Sequence, residues 1–446
     1  MLARFALLLL ALASPALAAA RAPRHPVAAG TFIQWYLVRD WDDARWQAEF
    51  HTLKDVGMDT IVFAPTLDGK PGRAYYPTRL PGYSMPPDCP DLVDACLRNA
   101  ERAGFRVFLG LNFHDDWWRK AASDPAWLLA QMEEGNRGAD ELYAAYARRY
   151  PRAFHGWYWV WEVDNLNFRT PEQIATLARA IDTNVRHLKR LDPRKPVMLC
   201  PFMNAALGSS ADYRRMWERV FAACALGRGD VFCPQDCVGA GGLRLAQVPE
   251  WFAALREAVR TKPGLRFWAD TETFDQRDWT SAPIGRVVAQ MRAVQPYVER
   301  CLTFAYSHYD SPGVAPAGFH RAYRAYVRSG RLDATPPGAP RDVRAQASPD
   351  GSIVLRWRPP ASARDLCGYR VYRGGEPVAH LQAARRPGEA VVATTWTDTK
   401  AAGARPSEYA VGAYDFAGNA SERRAAENPA AARPATHPVV KAACRL

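Results

Sequence analysis

The spacings that would announce metal or nucleotide chemistry are missing from this chain. Its nine cysteines contain no CxxC pair and no partner histidine at zinc-ligand spacing, and its nine histidines contain no pair three or four residues apart. No glycine-rich phosphate loop follows the first strand-like run, so a dinucleotide fold loses its main support. Beyond residue 20 no apolar run approaches the length of a membrane span. Lysine is scarce, so the net charge of +12 rests on arginine, with no long basic run and no nucleic-acid motif. That balance admits an anionic partner such as an acidic polysaccharide or the cell surface. GC-rich coding produces the same arginine bias without any selection for binding. These absences leave no cofactor, no metal, no nucleic acid and no membrane span among the expectations.

What is present begins with "MLARFALLLLALASPALAAA", one arginine, an apolar run and a small-residue ending. It reads as a signal peptide over residues 1–20, cleaved near Ala18–Ala20, and predicts a secreted or periplasmic protein. Export permits disulfides, with Cys89/Cys96 and Cys233/Cys237 as candidates, and an odd count leaves at least one thiol unpaired.

From residue 28 to 331, eight β-type runs alternate with amphipathic segments. The runs are TFIQWY (31–36), TIVFAP (60–65), RVFLGLNF (106–113), FHGWYWVWE (154–162), VMLCPF (197–202), DVFCPQ (230–235), RFWADTE (266–272) and RCLTFAYS (300–307). Between the first two, Trp46, Phe50, Leu53 and Val56 fall at helical spacing before Gly57. Thr170 and Pro171 open another helix that Asp192-Pro193 ends. Eight such units predict an α/β (β/α)8 TIM barrel, with an open doubly wound sheet as the rival. A proline-bearing linker at 332–336 precedes short strands without helices, which predicts a small all-β sandwich over 337–425, then an Ala/Pro-rich tail over 426–446. Trp357, "GYRVYR" (368–373) and "YAVGAYDFAGNAS" (409–421) resemble a fibronectin type III domain. Such modules usually space or orient a catalytic domain in secreted bacterial enzymes.

In a (β/α)8 barrel the functional groups gather at the C-terminal strand ends. Here those ends are polar and aromatic, and the candidate substrate-binding residues are Gln34, Trp35, Asn112, His114, Asp164, Asn165, Gln235, Asp236, Tyr306 and His308. The run "GWYWVWEVDN" (156–165) is the most informative. Side chains alternate along a strand, so Tyr158, Val160, Glu162 and, if the strand persists, Asp164 face the barrel, while Trp157, Trp159 and Trp161 face the helices. Glu272 ends the seventh run in the same way, with Asp270 one layer below.

Paired glutamates ending strands four and seven resemble the large clan of retaining glycosidases built on this barrel. The resemblance implies Glu162 as acid/base and Glu272 as nucleophile, about 5–5.5 Å apart. Trp161 stands where that clan usually has asparagine; Asn165 follows three residues later. The pieces "GTFIQWY", "GWYWVWEVD", "PQDCVG", "WADTETF" and "YSHYDSPG" resemble a domain-of-unknown-function family of bacterial secreted barrels with glycosidase-like architecture. That resemblance implies a polysaccharide- or oligosaccharide-acting enzyme, with Gln235 and Asp236 at the barrel mouth.

Trp117, Trp118 and Trp279 are candidate stacking platforms, against loop packing for each. "GAGG" (239–242) is expected to shape a loop, and segment 66–88 is long enough to cover part of the cleft. The expected protein is a monomeric retaining glycoside hydrolase whose substrate is a glycan, an acidic one being admitted by the charge. The alternatives are a barrel that binds glycan without cleaving it, at the cell surface or in a biofilm matrix, and an eliminating barrel enzyme for which Glu272 is dispensable.

Overall fold

A computed structural model describes residues 25–428 except 363–364, 387–388 and 402. The expected signal peptide and most of the tail lie outside the described residues. Eight strands close a barrel: β1 (Ala28–Gln34), β2 (Thr60–Ala64), β3 (Arg106–Gly110), β4 (Phe154–Trp159), β5 (Val197–Leu199), β6 (Val231–Phe232), β7 (Arg266–Glu272) and β8 (Arg300–Phe304). Each pairs in parallel with its neighbours in sequence, and β8 closes on β1 through Ala28 opposite Cys301. The open-sheet rival is thereby excluded.

One long helix follows each strand: α1 (Asp43–Asp55), α2 (Leu92–Ala103), α3 (Pro125–Tyr146), α4 (Pro171–Leu191), α5 (Ser210–Ala223), α6 (Val248–Arg260), α7 (Ile284–Val294) and α8 (Ala317–Ser329). Local chemistry sets their ends. Asp42 caps α1 by accepting from the Arg45 N–H, and Thr170 and Gln173 form a reciprocal capping box at α4, with Pro171 in the first turn. Gly104 ends α2 at φ 74°, a left-handed cap that costs glycine little.

Two apolar layers result. Phe32, Val62, Phe108, Tyr158, Val160, Met198, Trp268 and Leu302 fill the barrel interior. Trp157, Trp159 and Trp161 belong instead to the layer between strands and helices. The predicted alternation therefore holds, even though regular strand pairing stops at Trp159. Trp161 lies among Phe113, Trp117 and Trp127 at ring separations of 5.4, 5.4 and 6.1 Å. The Trp159 indole N–H donates to Asn184 Oδ1 at 2.9 Å.

The C-terminal residues form two antiparallel sheets. Strands β9 (Arg341–Ala347), β10 (Ile353–Arg358) and β13 (Thr395–Asp398) make one; β11 (Leu366–Arg373), β12 (Glu376–Gln382), β14 (Tyr409–Asp415) and β15 (Arg424–Ala425) make the other. Leu355, Trp357, Tyr369, Val371 and Val411 share their core. This unit meets the barrel at the start of α7, where the Ile284 and Gly285 N–H groups donate to the Phe416 and Ala417 carbonyls, both at 2.9 Å. Phe416 also packs edge-on against Phe319 of α8.

The disulfide expectations need correction. Among the described residues all eight cysteines are free and buried, including Cys89, Cys96, Cys233 and Cys237. Cys233 faces the barrel interior, whereas Cys237 lies in the outer layer and its sulfur accepts the Met203 N–H.

Candidate active site

Glu162 reaches the barrel mouth because the alternation of β4 continues past its last paired residue. Trp117, buried in the loop after β3, donates its indole N–H to the Glu162 carbonyl at 3.0 Å and pins the backbone there. The carboxyl itself has one polar neighbour, the Gln235 amide, 3.4 Å from Oε1. Burial pushes the Glu162 pKa up to about 7, with the Gln235 hydrogen bond opposing.

Glu272, the last residue of β7, is 1% exposed. Its Oε2 accepts the Ala240 N–H at 2.6 Å, while Oε1 has no hydrogen-bond partner. Gln290 Nε2 and Arg286 Nη2 donate to its backbone carbonyl at 3.0 and 3.3 Å. Behind it lies Asp236, fully buried, accepting from Gln290 Nε2 through both oxygens at 2.8 and 3.0 Å and from the Val238 N–H at 3.2 Å. Burial and then the charge of Asp236 hold Glu272 above the usual carboxylate range, and burial raises Asp236 as well. Asp270, one layer deeper, is raised well above that range by burial and by the carboxyls of Glu272, Asp236 and Glu162.

The loop "GAGG" does more than turn the chain. A Cβ at Gly239 would lie 2.4 Å from the Phe274 carbonyl and 3.0 Å from Glu272 Oε2, and one at Gly242 would lie 2.4 Å from the Met203 carbonyl. Only glycine lets this loop come close enough for Ala240 to hold the carboxylate.

Glu162 and Glu272 line one cleft of about 500 Å3. Gln34, Asn204, Gln235 and Gln276 contribute polar groups, and Tyr36, Trp118, Phe202, Phe274, Trp279, Phe304 and Tyr309 form aromatic walls. Among the described residues that line it there is no lysine, arginine or histidine. Trp118 and Trp279 are 46% and 59% exposed, unlike the buried Trp117.

Of the ten residues expected to bind substrate, Gln34 and Gln235 line this cleft and Asp236 stands directly behind Glu272. The other placements need correction. Trp35 stacks on Tyr75 at 4.5 Å, away from the cleft. Asn112 is fully buried and donates to the Gln131 carbonyl in α3. His114 Nδ1 accepts the Asp116 N–H and its ring meets Trp127. Asp164 caps its own loop through the Leu166 and Asn167 N–H groups. Asn165 is one step removed, holding the backbone of Asn204 through both ends of its amide at 2.8 and 2.9 Å. The Tyr306 hydroxyl pairs with His320 Nδ1 in the helix layer. His308 Nε2 accepts the Gln34 N–H, and burial lowers its pKa to about 4, so the ring is neutral. Asn112 lies in a short strand paired with Leu67–Asp68, while at the other positions the chain has left the barrel strand for a short helix, turn or cap, so the period-two rule stops applying.

Segment 66–88 does not line the cleft; Tyr76, Thr78 and the Arg79 N–H fasten it to Glu141 of α3. The residues that sequence reasoning did not assign are Tyr36, Phe274, Gln276, Phe304 and Tyr309. For Tyr36, Phe274 and Phe304 an aromatic at or two positions past a strand end was the available signal; Gln276 and Tyr309 lie farther out in the loops and had none. Among the described residues no group of three or more His, Cys, Asp or Glu is placed to hold a metal ion.

Comparison with solved structures finds similar chains. A structure described as a putative alpha-L-fucosidase from Bacteroides thetaiotaomicron is 20% identical with a TM-score of 0.58, covering 68% of this chain and 94% of its own. A monomeric beta-xylosidase from Caulobacter crescentus is 16% identical with a TM-score of 0.45, covering 76% of each chain. The glycoside hydrolase domain of PgaB (BpsB) from Bordetella bronchiseptica is 12% identical with a TM-score of 0.41, covering 63% of this chain and 94% of its own. These neighbours are described as glycoside hydrolases, and at such identities the likeness is one of fold. No curated protein sequence matches the chain. A family whose description is "Domain of unknown function (DUF4434)" matches residues 28–316, the barrel almost from end to end, and the chain belongs to that family.

Proposed function

We propose that the protein is an exported, monomeric, retaining glycoside hydrolase acting on a poly- or oligosaccharide, with a fibronectin type III appendage. Glu162 is the acid/base and Glu272 the nucleophile. The observation that carries this reading is that two carboxyls, the partly exposed Glu162 just beyond β4 and the buried Glu272 ending β7, line one aromatic-walled cleft. The neighbours described as glycosidases agree with it.

The chemistry follows from the two environments. Glu162, raised to about 7, is protonated in a substantial fraction of molecules at neutral pH and can give that proton to the departing glycosidic oxygen. Oε1 of Glu272, buried and without a hydrogen-bond partner while Oε2 is tied to Ala240, is the attacking oxygen, and a small side-chain movement brings it to the anomeric carbon. The carbon–oxygen bond to the leaving sugar breaks as the Oε1–carbon bond forms, giving a glycosyl ester. Glu162, now ionised, takes a proton from water; the water oxygen replaces Glu272, and both carboxyls return to their starting states. The raised pKa of Glu272 is a cost in this scheme, opposed by the Ala240 N–H and the positive charge of Arg286. The same feature is what a barrel that binds glycan without cleaving it would show, since a neutral Glu272 cannot attack.

The test is azide rescue with activated aryl glycosides. Glu272→Ala should be inactive and, with azide, release a glycosyl azide of inverted configuration; Glu162→Ala should give the retained one. Full activity in Glu272→Ala would end the nucleophile assignment, and an inverted first-formed sugar from the native enzyme would end retention.

A further inference from the structure

The chain is strongly basic, but its cleft is not. Glu162 and Glu272 are the acidic groups on its surface, Asp236 and Asp270 lie just behind them, and among the described residues no cationic side chain lines the space. Arg286, whose charge acts on Glu272 and Asp236, is largely buried, and its Nη2 donates to the Glu272 and Phe274 carbonyls rather than reaching the cleft. A sugar bearing carboxylate or sulfate would sit beside the ionised nucleophile Glu272 with no counter-ion among the described residues, a penalty on the order of tenfold in affinity. An amino sugar fails for the opposite reason: its ammonium would pair with Glu162 and hold ionised the group that must deliver a proton.

The walls offer what an uncharged ring needs. Trp118 packs on Phe202 at 6.2 Å, on the side of the mouth built after β3 and β5. Trp279 stacks on Phe274 at 5.3 Å with planes 13° apart, on the side built after β7, and Tyr309 stacks on Phe274 from beyond β8. In the barrel order these loops belong to opposite halves of the ring. Both tryptophans keep an open face, suited to the C–H face of a pyranose.

We propose that the substrate is a neutral glycan, with sugar units held on Trp118 and Trp279 either side of the two glutamates. This rests on the glycosidase reading of the same cleft. The experiment is calorimetric titration of the full chain with neutral oligosaccharides (xylo-, manno- and gluco-configured), oligogalacturonate and chitosan oligomers, with reducing-end release followed in parallel. Binding to a neutral set member that is insensitive to salt, and at least tenfold weaker in both Trp118→Ala and Trp279→Ala, is expected. Tighter binding to oligogalacturonate or chitosan, or no binding to any neutral set member, overturns it. Neutral binding without reducing-end release keeps this inference and defeats the hydrolase; release from the acidic oligomer does the reverse.

A separate observation concerns the second unit. Gln382, ending β12, accepts the Ser281 N–H at 3.0 Å and donates to the Ser281 carbonyl at 2.8 Å, as an added strand would. Ser281 pairs with Phe274 in a small hairpin and donates its hydroxyl to the Tyr309 carbonyl. The geometry points to Gln382 as a positioning residue, through which the sandwich fixes the Phe274–Trp279–Tyr309 wall. Deuterium uptake over 273–283 should rise in Gln382→Ala with the melting temperature unchanged, and fall back partly in Gln382→Glu, which keeps the acceptor. Unchanged uptake in Gln382→Ala, or no recovery in Gln382→Glu, overturns it.

Discussion

Asp236→Asn tests whether the charge behind Glu272 governs it. Asp236 accepts from Gln290 and from the Glu272 N–H, the latter at 3.5 Å, and asparagine keeps an oxygen for those donors while removing the charge. The charge of a directly adjacent carboxylate, at an effective permittivity of about 20, is worth on the order of 2 kcal/mol, or more than one pH unit. The Glu272 pKa should fall by about that much. On the acid side of the pH profile, where the rate follows the ionised fraction of the nucleophile, kcat/KM for an aryl glycoside should rise about tenfold after allowance for a weaker nucleophile. The stability profile gives an independent readout. A carboxyl whose folded pKa is raised contributes stability that is present below its unfolded pKa, near 4, and is lost as pH rises through the folded value. Asp236 and Glu272 are both of this kind, so native stability should decline from about pH 4 upward. The variant should decline less. Thermal melts across that range, with the kinetic profile, would refute the reasoning if acid-side kcat/KM fell while the variant stayed folded, or if the melting profile kept its native slope.

Gly239→Ala should lose activity by on the order of a hundredfold, since its Cβ meets the Phe274 carbonyl at 2.4 Å and pushes Ala240 off Glu272; kinetics with a melt on the same preparation checks it. Glu162→Gln should abolish hydrolysis of glycosides with poor leaving groups and remove the titration near pH 7, read from the pH profile with an activated substrate. Trp161→Ala should cost about 3–5 kcal/mol in denaturant unfolding, because the indole is buried among Phe113, Trp117 and Trp127. Reductant should leave the melting temperature unchanged, since the described cysteines are free; a fall would show a disulfide that the structure lacks.

The alternation of strands and amphipathic segments determined the barrel, because each unit had one way to bury its apolar face. The period of two in "GWYWVWEV" sorted three tryptophans outward and Glu162 inward, and the structure keeps that sorting one turn of alternation beyond the paired strand. Gly239 was visible as part of a glycine run, but its reason, the Phe274 carbonyl and Glu272 carboxylate beside it, was not. Tertiary structure alone decided which strand-end residues reach the cleft. Asn112, Asp164 and Tyr306 sit at promising positions and are consumed by α3, a loop cap and His320, while Tyr36, Gln276 and Tyr309 enter from the loops. It alone set Asp236 behind Glu272 and left the described cleft wall of a basic chain without arginine. The physical reason is range: strand alternation and helix amphipathicity are local and repeat along the sequence, whereas a pKa, a hydrogen-bond partner or a cavity wall depends on groups brought together by the closure of the barrel.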